Sequence, residues 1–184
     1  MSNIFHQKYN KILLTQNRKG CKMILQELAL ACQNVSGQVK SDQHLGVLKK
    51  FLKDKIAKNP KNTFTKQRVV GKDGKCTKNF DIVWVDEDGL HAIELKSMNG
   101  SAAKNINNRI EEMVGQSFAS KVRYNLKTFK YIFVDNCEMK DLTKDKLFIQ
   151  SEDLISRGFL DDISIFQTHD SKFYKTKSFE NWIF

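Results

Sequence analysis

In "NFDIVWVDEDGLHAIELKS", residues 79–97, two short apolar runs flank an acidic, glycine-containing turn, and Asp81, Glu94 and Lys96 stand within those runs. Charge inside apolar runs is costly unless it pairs or binds something. Side chains alternate along a strand, so Glu94 and Lys96 share one face while Ile93 and Leu95 share the other. A "DEDG" turn closing a hairpin brings Asp81 beside them, because cross-strand neighbours lie within about 5–8 Å. Two carboxylates that close repel each other, and a divalent cation between them removes the conflict. Oxygen donors without His or Cys select a hard ion such as Mg²⁺. With Lys96 projecting into the same space, to stabilise phosphate charge or help deprotonate a water, the set suits in-line hydrolysis of a phosphodiester.

The elements that must position these residues follow from periodicity. "KGCKMILQELALACQN" carries Met23, Ile24, Leu28 and Ala31 at helical spacing, and "SDQHLGVLKKFLKDKIAKN" carries Leu45, Leu48, Leu52 and Ile56. Ser41 or Asp42 caps the second helix and Asn59-Pro60 ends it. "FTKQRVV" reads as a strand, "GKDGKCTK" as a loop, and "NFDIVWV" with "LHAIELK" as a hairpin. "NNRIEEMVGQSFASKVRYNL" is a helix with an expected apolar stripe of Ile110, Met113, Val114, Phe118 and Val122. "FKYIFVD" is a strand buried on both faces. "DISIFQT" and "KFYKTKSF" are strands or irregular edges. The passage from "AIELK" through the long helix to "YIFVD" has the pattern of a βαβ unit, making those two strands parallel. The expected fold is α/β (α+β), a mixed sheet flanked by helices. One domain is expected over 1–184: a basic, mostly helical part to residue 60, a core over 61–150, and a tail over 151–184.

Charge is unevenly spread. Residues 1–78 hold 17 Lys+Arg against 4 Asp+Glu, and residues 79–184 hold 14 against 17. The excess suits either a soluble, Lys-rich surface or a polyanion-binding face. The basic loop entering the Asp81 strand offers Lys66, Arg68, Lys72, Lys75 and Lys78 to a DNA backbone. Four scattered cysteines, Cys21, Cys32, Cys76 and Cys137, form neither a zinc motif nor a disulfide framework. They fit reduced thiols and a cytoplasmic location. No apolar run is long enough for a membrane span, and no secretory signal is visible. The acid-free start loosely resembles a transit peptide, but an ordinary first helix is expected there.

The pattern D-x12-E-x-K resembles the PD-(D/E)xK nuclease superfamily. The resemblance implies metal binding by Asp81, Glu94 and the backbone carbonyl of Leu95, with Lys96 as the catalytic lysine. Phe80 stands where the family name writes Pro. "AIELKSMNGSAAKNINNRIEEMVGQSF", residues 92–118, further resembles XhoI-type restriction endonucleases, with Asn107, Asn108 and Arg109 at an N-N-R and Glu111, Glu112 and Gly115 at an E-E-x-x-G. This implies a restriction-endonuclease-like fold and a Mg²⁺-dependent type II enzyme cutting double-stranded DNA, usually as a homodimer, with a DNA methyltransferase as genetic partner. Arg109 holds a phosphate or pairs with Glu112 at i+3. Asn107 and Asn108 bond bases or phosphates, or belong to a loop and helix cap. Glu112 and Gln116 are candidates for a supporting shell, and Glu27 is either an ordinary exposed helix acid or a helix carboxylate borrowed for the metal site. Ser120 stands where the Q-x-x-x-Y signature of RecB-like exonucleases needs tyrosine. His91 lies on the face opposite Glu94 and reads as a packing or surface histidine. Two other readings stay open: a structure-selective nuclease of the junction-resolvase or repair type, and a non-catalytic basic DNA-binding module whose triad is a structural ion pair.

Overall fold

The computed structural model describes residues 11–12, 41–98, 102–136, 138–168 and 172–175, with backbone alone at 11–12, 41–44, 102–104 and 172–175. The expected first helix with Met23, Ile24, Leu28 and Ala31 lies outside the described residues, as do Glu27, Cys21, Cys32 and Cys137. The elements in chain order are β1 (Lys11–Ile12), α1 (Ser41–Ile56), β2 (Thr63–Phe64), β3 (Arg68–Val70), β4 (Thr77–Asn79), β5 (Ile82–Asp86), β6 (Gly89–Met98), α2 (Ala102–Val122), β7 (Thr128–Asp135), α3 (Asp141–Ser156), β8 (Asp162–Gln167) and β9 (Lys172–Lys175).

A seven-stranded mixed sheet runs in the order β1-β9-β8-β7-β6-β5-β2. The β5–β6 hairpin is antiparallel, with Ile82 facing Ile93 and Asp86 facing Gly89. Gly89 has φ 133°, a conformation that only glycine adopts without strain. β6 and β7 are parallel, joined through α2, and β7 and β8 are parallel, joined through α3. The expected βαβ crossover is therefore present, and a second follows it. The helix α3 is not among the expected elements. Its buried side includes Lys144 and Ser151 beside Leu147, Phe148 and Leu154, so polar residues blur its period.

Each face of the sheet has its own apolar layer. Leu48, Phe51, Leu52 and Ile56 of α1 pack on Ile82, Trp84, Ile93, Leu95, Ile132, Val134 and Phe166. The three- and four-residue spacing of the leucines puts them on one stripe, as expected. The helix ends where Asn62 Nδ2 donates to the Ile56 carbonyl at 2.8 Å, just past Asn59-Pro60. On the opposite face Ile106 and Met113 of α2 and Leu147, Phe148 and Leu154 of α3 cover Val83, Phe129, Tyr131, Phe133, Ile163 and Ile165. Each such side chain contributes about 1.5–3 kcal/mol by leaving water.

Two expectations need correction. The α2 stripe is rotated: Ile106, Met113, Ser117 and Ser120 face the sheet, while Val114, Phe118 and Val122 are exposed, Phe118 by 51%. Ser120 satisfies its buried hydroxyl by donating to the Ser117 carbonyl, while the Ser117 hydroxyl is buried without a hydrogen-bond partner among the described residues. The "FTKQRVV" run is also not one strand. β2 joins β5 in the main sheet, whereas β3 pairs with β4 as a separate two-stranded arm. The chain turns off the sheet at Gln67, whose carbonyl accepts the Phe80 N–H at 3.0 Å. Among the described residues no helix is long and apolar enough to cross a membrane.

Candidate functional site

Strand parity decides what each face of β6 carries. Ile93 and Leu95 enter the α1 layer, and His91 stacks on Trp84 at 5.0 Å while its Nε2 meets Asp86 Oδ1 at 2.8 Å. His91 is thus a packing histidine. Ala92, Glu94 and Lys96 point to the α2 side, where Glu94 is 4% exposed and Lys96 Nζ lies 3.1 Å from Glu94 Oε1.

Contrary to the expected strand over "NFDIVWV", Asp81 does not sit inside a strand. It occupies a bend immediately before β5. Continuing the Ile82–Ile93 register by one residue sets it opposite Glu94. Its Oδ2 accepts the Leu95 N–H at 2.9 Å, and its backbone carbonyl accepts from Gln67 Nε2 at 2.9 Å. Both bonds replace ladder pairing and fix the carboxylate against the amide that follows Glu94. Lys49 of α1 approaches Asp81 Oδ1 at 4.0 Å.

Helix α2 completes the cluster. Lys96 Nζ reaches Glu112 Oε1 at 2.7 Å, Arg109 binds Glu112 Oε2 at 2.8 Å, and Gln116 Nε2 donates to Glu112 Oε1 at 3.0 Å. Spacings of three and four place Arg109, Glu112 and Gln116 on one helix face. Of the two roles expected for Arg109, the pairing with Glu112 is the one observed. Asn107 and Asn108 lie within the helix rather than in a loop or cap, because α2 starts at Ala102. Both side chains are exposed, and Asn107 lines a groove of about 410 Å³ with Lys146 and Ile149 of α3.

The arm delivers a residue that composition alone places elsewhere. Lys66, Arg68, Lys72 and Lys75 are exposed, as a backbone-gripping set requires. Lys78 turns the other way. It faces Val69 across the arm, between exposed Thr77 and Asn79, and its Nζ lies 3.5 Å from Glu94 Oε1 and 5.0 Å from the Phe80 ring. Only the two-residue alternation of β4, invisible before β4 is known to be a strand, would have marked it.

The electrostatics are those of a crowded, partly dry site. Burial pushes the Glu94 carboxyl above its usual value, Lys78 and Lys96 pull it back, and Asp81 adds to the rise. Burial acts to lower Lys96, but hydrogen bonds to Glu112 and Glu94 outweigh it and hold its ammonium above the usual lysine range. Burial likewise raises Glu112, yet Lys96 and Arg109 leave it below the usual range. Among the described residues, Glu94 Oε2, Gln116 Oε1 and the Tyr131 hydroxyl are buried with no hydrogen-bond partner. Tyr131 faces Glu94 directly in the β6–β7 register.

Among the described residues, no group of three or more His, Cys, Asp and Glu side chains forms a ready metal cluster. The donors present nonetheless fit one hard cation. Mg²⁺ is commonly held by one or two carboxylates with waters and substrate oxygens completing its shell. Asp81 and Glu94 are such a pair, and the buried, unpartnered Oε2 of Glu94 marks an acceptor still to be satisfied.

No protein-family model and no curated protein matches the chain. A solved structure that it is similar to is that of Pyrococcus furiosus SfsA in complex with Ca²⁺, at 11% identity and a TM-score of 0.35. The match covers 71% of this chain and 62% of that one, so this chain spans less than two thirds of the length of that protein.

Proposed function

We propose that this chain is a Mg²⁺-dependent endonuclease that hydrolyses phosphodiester bonds of double-stranded DNA at a specific sequence, as type II restriction enzymes do. The observation that carries the reading is the meeting of Glu94 and Lys96 on one buried strand face with Asp81 clamped on the intervening Leu95 amide. Asp81, Glu94 and the Leu95 carbonyl would hold the cation, which supplies Lewis-acid polarisation of the phosphate and a more acidic bound water. Hydrogen bonds to Glu112 and Glu94 favour the ammonium form of Lys96, which would set positive charge beside the scissile phosphate. Glu112, braced by Arg109 and Gln116, aims that ammonium. Lys66, Arg68, Lys72 and Lys75 grip the backbone, each neutralised phosphate adding about 0.9 to the salt slope of binding. Cutting both strands at a two-fold site calls for a homodimer.

A specific observation favours a second reading, a DNA-binding module with a structural charge network: Lys96 closes on Glu94 and Glu112 at once, leaving a linked chain from Lys78 to Arg109. Digestion of phage DNA with Mg²⁺ by wild type, Asp81→Ala and Lys96→Ala, with filter binding in parallel, separates the two. The nuclease reading expects discrete fragments from wild type and a loss of at least about 100-fold in both variants, with binding kept. Undiminished cutting by either variant removes the assignment of roles. Normal binding by wild type without cleavage in Mg²⁺ or Mn²⁺ selects the module, and a need for branched DNA selects a structure-selective nuclease.

A further inference from the structure

We infer that Lys78 is a shuttle between Glu94 and the nucleic-acid phosphate, holding the carboxylate until the cation displaces it and then serving the scissile phosphate. This rests on the nuclease reading above. Two ammonium groups converge on one oxygen, Glu94 Oε1: Lys96 at 3.1 Å and Lys78 at 3.5 Å. Their footing differs. Lys96 stands on the same strand as Glu94 and is tied a second time, to Glu112 at 2.7 Å. Among the described residues no second carboxylate lies within 4.0 Å of Lys78 Nζ; its other neighbour is the Phe80 ring at 5.0 Å, a weaker hold. It also stands on the arm, whose outer side carries Arg68, Lys72 and Lys75.

Positive charge on Glu94 is interchangeable in kind: an ammonium and a divalent ion satisfy the same carboxylate and repel each other. Cation entry therefore weakens the Lys78 contact more than the doubly anchored Lys96 contact. The released ammonium has only a flexible stem to swing, and a phosphate lying against the arm is the nearest class of anion that would take it. Lys78 is in this way a competitor of the cation without nucleic acid and a substrate-facing group with it. A purely structural lysine would play the first part or neither.

The two parts have opposite signs in one variant. Mn²⁺ binding to the full chain, without DNA, is followed by electron paramagnetic resonance, and single-turnover cleavage of phage DNA is timed in Mg²⁺. Lys78→Gln is expected to bind Mn²⁺ roughly three- to tenfold more tightly, the effect of removing one partly exposed competing charge. The same variant is expected to cut at least about tenfold more slowly. Lys78→Arg, which restores the charge, returns Mn²⁺ affinity to the wild-type value. Lys146→Gln, an equal charge change on the exposed side of α3, leaves Mn²⁺ affinity unchanged. Should glutamine loosen the arm in thermal melts, Lys78→Met repeats the test with the stem over Phe80 retained. Unchanged Mn²⁺ affinity, or cleavage at the wild-type rate, overturns the shuttle. Wild type that binds and cuts while Lys78→Gln matches it defeats this inference alone; wild type that binds no Mn²⁺ and cuts nothing takes the nuclease reading down with it.

Discussion

Two lysines on neighbouring strands of one sheet, Lys96 on β6 and Lys130 on β7, titrate in opposite directions. Both are largely out of water. Lys130 shares its parity with Ile132 and Val134, so it belongs to the α1 face; burial pushes it from the usual 10.5 down to about 8, with Asp162 and Asp161 pulling back. Lys96, on the α2 face, is held above its usual range by Glu112 and Glu94 despite burial. The sheet thus separates two kinds of environment within one strand spacing. The α1 face is a dry apolar layer in which charge is penalised. The α2 face gathers charge from three elements, β6, α2 and the arm. Both faces hold the fold together through their apolar layers, and the α2 face carries the Glu94–Lys96–Glu112 charge cluster besides.

The sharpest way to break that division is to cut a hole in the α1 face. Ile132 is fully buried there, against Leu95 and Phe166 in the same layer. Ile132→Ala is expected to lose about 2–5 kcal/mol of unfolding free energy in urea titration. The folded fraction is expected to cleave DNA at the wild-type rate, since the removed atoms face away from Glu94. A variant that melts as wild type, or that stays folded but stops cutting, would show that the faces are not separable.

A second test uses the pH window between the two lysines. Lys130 loses its proton near pH 8 when folded and only near 10.5 when unfolded. Between these values the unfolded chain binds more protons, so stability rises with pH. The gap corresponds to at most roughly 3 kcal/mol. Lys96 has the opposite sign: its contribution is complete below the usual lysine value and is lost only as pH climbs through its raised one. Urea midpoints followed from pH 7.5 to 10.5 should therefore climb for wild type relative to Lys130→Met. Parallel curves for the two proteins would place Lys130 in water and dissolve the contrast.

Much of this division is legible in the amino-acid sequence. Two-residue alternation assigns Ile93 and Leu95 to one face and Glu94 and Lys96 to the other, and the hairpin length brings Asp81 near. The leucine spacing of α1 and the apolar run of β7 place the dry layer in the same way. What escaped reading depends on tertiary context. The inner face of α2 uses Ser117 and Ser120, which a hydrophobic stripe argument cannot find, and the exposed Val114, Phe118 and Val122 mislead it. The break at Gln67 is set by one hydrogen bond to Phe80. Lys78 looked like one more loop cation until the arm fixed its direction. Its neighbours Lys72 and Lys75 are exposed.

The smallest expected effect concerns the edge of the polar cluster. Arg109 and Glu112 are a partly exposed i, i+3 pair, worth about 0.3–0.5 kcal/mol on a helix. Lys96 also holds Glu112, so losing Arg109 does not strand the carboxylate. Arg109→Ala is accordingly expected to move the urea midpoint barely, slow cleavage less than about threefold, and leave the salt dependence of DNA binding as it was. The salt slope is the discriminating number. Were the duplex to draw Arg109 from Glu112 onto a phosphate, the variant's slope would fall by about 0.9. Glu112 would then depend on Lys96 alone in the complex, tying the aim of that ammonium to DNA contact on the helix side as Lys78 ties Glu94 to it on the arm side.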